Sequence, residues 1–573
     1  MSTNPIYKVR AISDLKDMLE QSCRLFGEKD AFRIKTKDES YKGIKYKEFK
    51  QDVDALGTAL INMGLKDRFI AVLGENRYEW CVTYLAAVNG TGMIVPLDKE
   101  LPAAEVENLL SRSGASAVIF SGKYAREMRQ IASILPSVKF FIDMDLEEDE
   151  NGFLSYKRLI AGGKELLAKG DRSFLDAEVD AEKMNILLFT SGTTDFAKGV
   201  MLSHRNICTD ITAVCSVIYI DDKDSPLSIL PLHHTYECTC GFLLMLYNGC
   251  AISFIEGLKH IAKNIRETKP SILLVVPLIL EGMYRKIWEQ AGKNKGTLVK
   301  LKAGLLISDF LYNVLKIDIR RKLFHQIHDN IGGRIRLVIS GAAAIDPVVS
   351  KGFRSFGITV LQGYGLTECS PIVTVNQVGS FRNDSIGLPL PGVDVRIEGA
   401  NSEGIGELVV RGRNVMLGYF ENTLATEKVM KDGWFYTGDL GKADSSGFYR
   451  ITGRKKNVIV TKNGKNIYPE EVEACLDKSP YIQESLVWGK LDEASEETFV
   501  YAQIVPAKDM IAEKLGKAEP AKDEIFKVID AEIKAVNRNM PLYKRIRRFT
   551  VREEEFAKTS TKKIKRYIEK IVG

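Results

Sequence analysis

Short, fully apolar runs set beside helical patterns constrain this chain more than any other feature. Phe69-Ile70-Ala71-Val72-Leu73, Ala117-Val118-Ile119-Phe120, Ser271 to Val276 and Arg336-Leu337-Val338-Ile339 read as buried strands, each near a helical stretch. That alternation is the signature of α/β layers. From Val393 onward the pattern changes: Val395-Arg396-Ile397 and Gly406-Glu407-Leu408-Val409-Val410 are short strands separated by Gly-rich turns, which predicts a small β-rich subdomain over about 393–454. At 573 residues the chain is too long for one core. A boundary is expected at Gly453 to Asn457. Asp444-Ser445-Ser446-Gly447 reads as a turn ahead of it, and after it come a strand over Asn457 to Val460, a glycine turn and a helix from Glu470. Pro469 followed by two glutamates suits a helix start, where a missing donor costs nothing and anions meet the positive end of the dipole. The expected fold class is therefore α/β, with a large N-terminal domain of layered α/β subdomains over 1–454 and a small α+β domain over 455–573.

Composition narrows the function classes. The N-terminus carries no apolar signal region, and the longest apolar stretch, Ile272 to Leu280, contains Pro277 and falls far short of a membrane span. A cytoplasmic location is expected. The nine cysteines are dispersed and odd in number, which argues against a disulfide framework. Cys238 and Cys240 follow His233 and His234, but the C-x-C spacing without a second pair favours buried positions in a strand or helix over a zinc site. The net charge of +6 is concentrated at the C-terminus: Pro541 to Gly573 holds eleven Lys/Arg against four Asp/Glu, leaving 70 against 71 elsewhere (81 − 11 and 75 − 4). Without interleaved aromatics this tail does not read as a nucleic-acid module. It is either a solvated face on the last helix or a mobile cationic element that meets an anionic substrate, and weak attraction to an anionic membrane surface stays open.

Chemistry enters at Thr190-Ser191-Gly192-Thr193-Thr194, which follows the apolar run Ile186 to Phe189 and leads to Lys198-Gly199. Backbone N–H groups and hydroxyls in such a turn can surround phosphate oxygens, with the lysine as a mobile cation. The Walker pattern fails, because Ala197 stands where its second glycine belongs, and Gly404-Ile405-Gly406 lacks the third glycine of a Rossmann loop. The loop's company is more telling. In order follow Leu230-Pro231-Leu232-His233-His234-Thr235-Tyr236-Glu237, Ser340-Gly341-Ala342-Ala343, Gln362-Gly363-Tyr364-Gly365-Leu366-Thr367-Glu368, Trp434-Phe435-Tyr436-Thr437-Gly438-Asp439-Leu440, Gly453-Arg454-Lys455-Lys456, Asn463 to Glu473, and Thr559-Ser560-Thr561-Lys562-Lys563-Ile564-Lys565-Arg566.

This series resembles the adenylate-forming superfamily of acyl-CoA synthetases, adenylation domains and luciferases over nearly the whole chain. Glu75-Asn76-Arg77-Tyr78-Glu79-Trp80, Val95-Pro96-Leu97-Asp98, the His-His-x-x-Glu block and Lys456 look most like the bacterial long-chain fatty acid–CoA ligases. The resemblance implies ATP-dependent conversion of a medium or long fatty acid to an acyl-adenylate, with pyrophosphate released, then thioester formation with CoA. ATP, Mg²⁺ and CoA are the implied cofactors and co-substrates. A C-terminal domain that rotates about a hinge at Lys456 is implied too.

By the same resemblance, Thr190 to Thr194 and Lys198 bind phosphate, and Glu368 is the Mg²⁺ ligand. Gly341, Ala342 and Ala343 form the adenine wall, with Tyr364 stacking and Gly363, Gly365 and Thr367 in the same motif. Asp439 accepts from the ribose hydroxyls, helped by Arg454. Lys563, with Lys562 as the alternative register, is the cation that bridges the acid oxygen and the α-phosphate. His234 lines the path between acid and thiol, although either His233 or His234 fits a core role satisfied by hydrogen bonds. Two departures stand out: Asp195 replaces the loop's second glycine and Ala197 its proline. Asp tolerates a left-handed turn, but its charge repels phosphates unless it points outward or meets Mg²⁺. Transfer to a carrier-protein phosphopantetheine arm, or a catalytically weak nucleotide-binding regulator, are the alternative functions. Oligomeric state is not legible.

Overall fold

The computed structural model describes residues 3–190, 197–461, 465–492, 497–558 and 564–566. They form two compact units, residues 1–395 with 410–433 and residues 396–409 with 434–573. The expected α/β class is borne out.

Among the described residues, the first unit holds two large sheets. One has nine strands, in the order Leu388–Pro389, Ile372–Val375, Thr359–Gly365, Leu337–Ser340, Ile272–Val275, Pro226–Ser228, Ile252–Phe254, Asp30–Lys35 and Tyr41–Lys45. Its six central strands, from Thr359–Gly365 to Asp30–Lys35, are parallel. The other has eight, in the order Gly418–Tyr419, Lys198–Ser203, Met184–Thr190, Met93–Leu97, Phe69–Leu73, Ala117–Phe120, Phe140–Asp143 and Leu154–Ser155. The run from Met184–Thr190 to Leu154–Ser155 is parallel.

Parallel strands require crossover helices, and both faces are then buried. The strand Ala117–Phe120 is accordingly buried at every position. Helices carry one apolar stripe toward these sheets. In Leu15–Phe26 the buried residues Leu15, Met18, Leu19 and Ser22 recur at helical spacing, and the Asp14 carboxylate caps the first turn by accepting from the Asp17 N–H at 2.8 Å. Ala103–Ser113 buries Val106, Leu109 and Leu110 and ends at Gly114, whose φ of +65° closes the helix. Pro277 opens the helix Pro277–Gly292, where its missing N–H would have had no partner, so the apolar run Ile272 to Leu280 divides into the strand Ile272–Val275 and a helix start.

In the second unit the strands Ile482–Asp492, Glu497–Pro506 and Ile546–Val551 form a sheet. The first pair is antiparallel and the second parallel, with the helices Lys508–Leu515 and Lys522–Arg538 between the parallel strands. Val472, Leu476, Val487, Ala502, Ile504 and Ile529 are buried together between this sheet and its helices. Two expectations are corrected here. The strand expected over Asn457 to Val460 is only Ile459–Val460, because Lys455–Asn457 turns as a 3₁₀ helix and the Asn457 side chain donates to Glu470 Oε1 at 2.6 Å. The basic residues Arg547 and Arg548 lie on the strand Ile546–Val551 rather than on a last helix, since Ile546, Phe549 and Val551 of that strand pack on the core.

Candidate active site

Strand carboxyl ends are where open α/β sheets bind ligands. In the first unit the two large sheets bring theirs together, and three sets of side-chain contacts join them. Asn76, just past Phe69–Leu73, donates to Ser228 Oγ at 2.8 Å and to the Leu230 carbonyl at 2.6 Å, and its Oδ1 accepts from the Leu232 N–H at 3.1 Å. Asp98, just past Met93–Leu97, approaches His233, with Oδ1 3.4 Å from Nε2. Tyr419, on the far edge of the eight-stranded sheet, donates its hydroxyl to Glu368 Oε1 at 2.9 Å.

The third contact organises the phosphate-loop end. Thr190 and Lys198 are cross-strand partners, and the Thr190 hydroxyl donates to the Lys198 carbonyl at 3.4 Å. The Lys198 ammonium sits 4.6 Å from the centre of the Tyr419 ring, a cation–π distance. The chain before Tyr419 is laced to both sides. Met416 N–H donates to the Glu368 carbonyl at 2.8 Å, Leu417 N–H to Met201 at 2.9 Å, and Phe420 N–H to Gly199 at 2.7 Å. A lysine, an aromatic ring and a half-exposed carboxylate thus stand in series. Ser191, Gly192, Thr193 and Thr194, with Asp195, lie outside the described residues.

Glu368 is presented by a tight reversal. Gly363, Tyr364 and Gly365 end the strand Thr359–Gly365, which pairs antiparallel with Ile372–Val375 through a shift between Tyr364 and Gly365. A side chain at Gly365 would meet the Pro371 carbonyl oxygen at 1.8 Å, so only glycine fits. The chain then forms the short 3₁₀ turn Thr367–Cys369, with Tyr364, Thr367 and Glu368 half-buried. On the neighbouring strand end, Gly341 is buried against the Tyr236 ring, whose hydroxyl donates to the Ile339 carbonyl at 3.0 Å. Ala342 adopts a φ of +71° and Ala343 is exposed.

The two histidines part company. His233 is only 8% exposed, whereas His234 is half-buried; their rings lie 4.3 Å apart. His233 is the core-facing member. Asp98, His233 and His234 each offer one ligand atom within 4.8 Å of the others, while Cys238 and Cys240 are buried in the π-helical turn Tyr236–Leu243 and join no such group among the described residues. All nine cysteines are free thiols. Glu237 is fully enclosed and accepts from Ser228 Oγ at 2.6 Å; burial pushes its carboxyl up to about 8, against the hydrogen bonds from Ser228 and the backbone.

Asp439, Arg454 and Lys456 belong to the second unit. Trp434–Ala443 pairs antiparallel with Tyr449–Arg454, which sets Asp439 directly opposite Arg454, and their Oδ1 and Nε atoms are 2.7 Å apart. Asp439 is buried and Arg454 exposed. The Thr437 hydroxyl donates to the Leu408 carbonyl at 2.8 Å and accepts from the Asp439 N–H at 3.0 Å, so the turn through Gly438 is held at both ends. Lys456 is exposed in the 3₁₀ turn. Lys563 and Lys562 lie outside the described residues. Their flanks are anchored: Lys558 pairs with Glu484 and Glu555, and Arg566 with the half-buried Glu473. Tyr419 was absent from the motif reading, and Tyr236 stood in it without a role. Their partners lie 51 and 103 residues away, a separation that no local pattern carries.

Comparison with known proteins adds an independent line. Residues 19–420 match the AMP-binding enzyme family and residues 456–568 the AMP-binding enzyme C-terminal domain. The chain is 30% identical over 516 residues to long-chain-fatty-acid–CoA ligase 5 of Rattus norvegicus, covering 84% of this chain and 74% of that one. It is 28% identical over 517 residues to long-chain-fatty-acid–CoA ligase 1 of Homo sapiens, covering 82% and 70%. Among solved structures, the anthranilate CoA ligase AuaEII in complex with anthranoyl-AMP shares the fold with a TM-score of 0.76 at 21% identity, over 99% of this chain and 98% of that one.

Proposed function

The chain belongs to the AMP-binding enzyme family, and from that premise we propose that it joins a medium- or long-chain fatty acid to coenzyme A at the expense of ATP. The observation that carries this reading is the series Lys198, Tyr419 and Glu368 at the joined carboxyl ends of two parallel sheets. A carboxylate is a poor acylating agent because its leaving group is oxide. It must first attack the α-phosphate and expel pyrophosphate, giving a mixed anhydride that a thiol then cleaves. The first step brings anion to anion, so cations and donors aimed at the phosphates dominate the catalysis.

Roles follow from the chemistry. Thr190 to Thr194 and Lys198 hold the phosphates. Gly341, Ala342 and Ala343 offer a small, flat wall for adenine, with Tyr364 against its face, while Gly363, Gly365 and Thr367 shape that turn. Asp439, its carboxylate fixed by Arg454, accepts from the ribose. Glu368 fits Mg²⁺, since its half-exposed carboxylate supplies a hard oxygen oriented by Tyr419. When bound, the ion neutralises charge on the phosphates. His234 lines the acyl path, and no general-base role is assigned to it.

Residues 455–573 act as a lid that turns about Lys456 and carries Lys563 to the reacting oxygens, the large domain being 1–454. No helix among the described residues is long and apolar enough to cross a membrane. The test is Lys563→Ala. Acid-dependent pyrophosphate exchange should fall about a hundredfold, while thioester formation from supplied acyl-AMP changes little. Equal loss in both half-reactions, or in neither, would remove Lys563 from the mechanism. Running the second half-reaction with CoA against a holo-carrier protein decides the acceptor.

A further inference from the structure

The strands Ile272–Val275 and Leu337–Ser340 are hydrogen-bonded parallel neighbours. One covering helix closes such a connection, and Pro277–Gly292 supplies it. The chain nonetheless continues into a second helix, Lys295–Asn313, then a loop and the short helices Arg320–Leu323 and His325–Asn330 before it re-enters the sheet. Asn294 caps the second helix, its Oδ1 accepting from the N–H groups of Gly296 and Thr297 at 2.8 and 3.2 Å.

This helix is apolar on two sides. Leu301 and Leu305 pack on the core beside the buried Gly304 and Ser308. Val299, Leu306, Ile307 and Phe310 project the other way, with Leu306 76% and Phe310 56% exposed, and the loop adds exposed Val314, Leu315 and Ile317. Val299, Ala303, Leu306 and Phe310 fall at i, i+4, i+7 and i+11, a continuous stripe along one face. Contiguous exposed apolar surface of this kind marks a contact site. The surrounding charge is basic. Residues 295–323 contain seven Lys/Arg and two Asp, a net +5 (7 − 2) in a chain of net +6. Arg320 is held by Asp318, and Arg321 by the carbonyls of Gly333 and Ile335; Lys295, Lys300, Lys302, Lys316 and Lys322 are exposed.

We propose that this face docks on an anionic lipid bilayer, with the apolar stripe entering the headgroup–acyl boundary and the lysines meeting lipid phosphates. Apolar side chains interleaved with lysines are what an interfacial element requires. A second copy is disfavoured because it would set +5 against +5, and a protein partner because lysine is depleted in the cores of protein interfaces. A fatty acid substrate, which partitions into bilayers, would then be drawn from the surface the enzyme rests on; that consequence rests on the function proposed above.

The test is co-sedimentation of the full chain with vesicles of phosphatidylcholine, alone or with roughly a third replaced by phosphatidylglycerol. The wild-type chain should bind the anionic vesicles and leave them at high salt. Leu306→Ser with Phe310→Ser, and separately Lys300→Glu with Lys302→Glu, should each lower the partition coefficient at least tenfold. Turnover of a short, water-soluble acid should stay within about twofold in both pairs, which also shows that they fold. Absence of wild-type binding, or unchanged binding in both variants, overturns the proposal; the second result would assign the attraction to the basic C-terminal tail. A concentration-dependent dimer that the serine pair abolishes would assign the face to a second copy. Failure of the ligase reading is separate, since it would appear as no acid-dependent AMP release from the wild-type chain and would leave the vesicle result standing.

Discussion

Glu237 and Glu368 both follow strands of the nine-stranded sheet, yet their surroundings give them opposite chemistry. Glu237 is enclosed, with Gly241 packed against its carboxyl, and burial pushes that carboxyl up to about 8. It serves as a packed, hydrogen-bonded wedge. Glu368 stands half-exposed at the end of a glycine turn, its carboxylate oriented by Tyr419 and within one ring of the Lys198 ammonium. Two identical side chains near one cleft thus differ in burial and in what their oxygens can reach, which separates a structural acid from a candidate ligand.

That contrast breaks first at Glu368. Glu368→Gln should lower acid-dependent pyrophosphate exchange about a hundredfold while the midpoint of urea unfolding stays nearly unchanged. An unaltered exchange rate would place the metal ligand elsewhere. For Glu237 the larger readout is stability against pH. Between its ordinary value of 4.5 and about 8 the native state keeps a proton that the unfolded chain releases, so stability should fall as pH rises through that window. The slope is at most about 1.4 kcal/mol per pH unit. Glu237→Gln should flatten it, as measured by urea unfolding at several pH values across the window. Identical slopes in the two proteins would mean that Glu237 does not hold its proton through that window. The smallest effect is expected from Tyr419→Phe, which keeps the ring over Lys198 and removes one hydrogen bond to a carboxylate. A loss of about 1 kcal/mol corresponds to roughly a fivefold increase in the Mg²⁺ concentration for half-maximal rate. No change would show that the backbone alone orients Glu368.

Much of the fold was legible because the informative strands are buried on both faces. Phe69–Leu73 and Ala117–Phe120 match their apolar runs to the residue, whereas Ile272–Val275 is one residue shorter at each end than expected and Leu337–Ser340 is displaced by one, where the ends are set by hydrogen bonding rather than by side-chain character. Asn457 misled because its polar side chain is buried by a bond to Glu470 that only the folded chain reveals. At the site, the residues on strand ends were legible as motifs. Their connections were not: Asn76 reaches Leu230 and Leu232 across more than 150 residues, and Tyr419 looks like any other tyrosine until it meets Glu368.

The pairing of Ile272–Val275 with Leu337–Ser340 has a wider consequence. Whatever lies between two adjacent paired strands is a closed ring as far as the sheet is concerned, and lengthening such a ring raises its closure entropy only logarithmically, by about 0.6 kcal/mol per doubling. Residues 276–336 can therefore acquire, trade or shed a peripheral module while the catalytic scaffold keeps its register. Adaptation of where the enzyme works is in this way uncoupled from adaptation of what it catalyses.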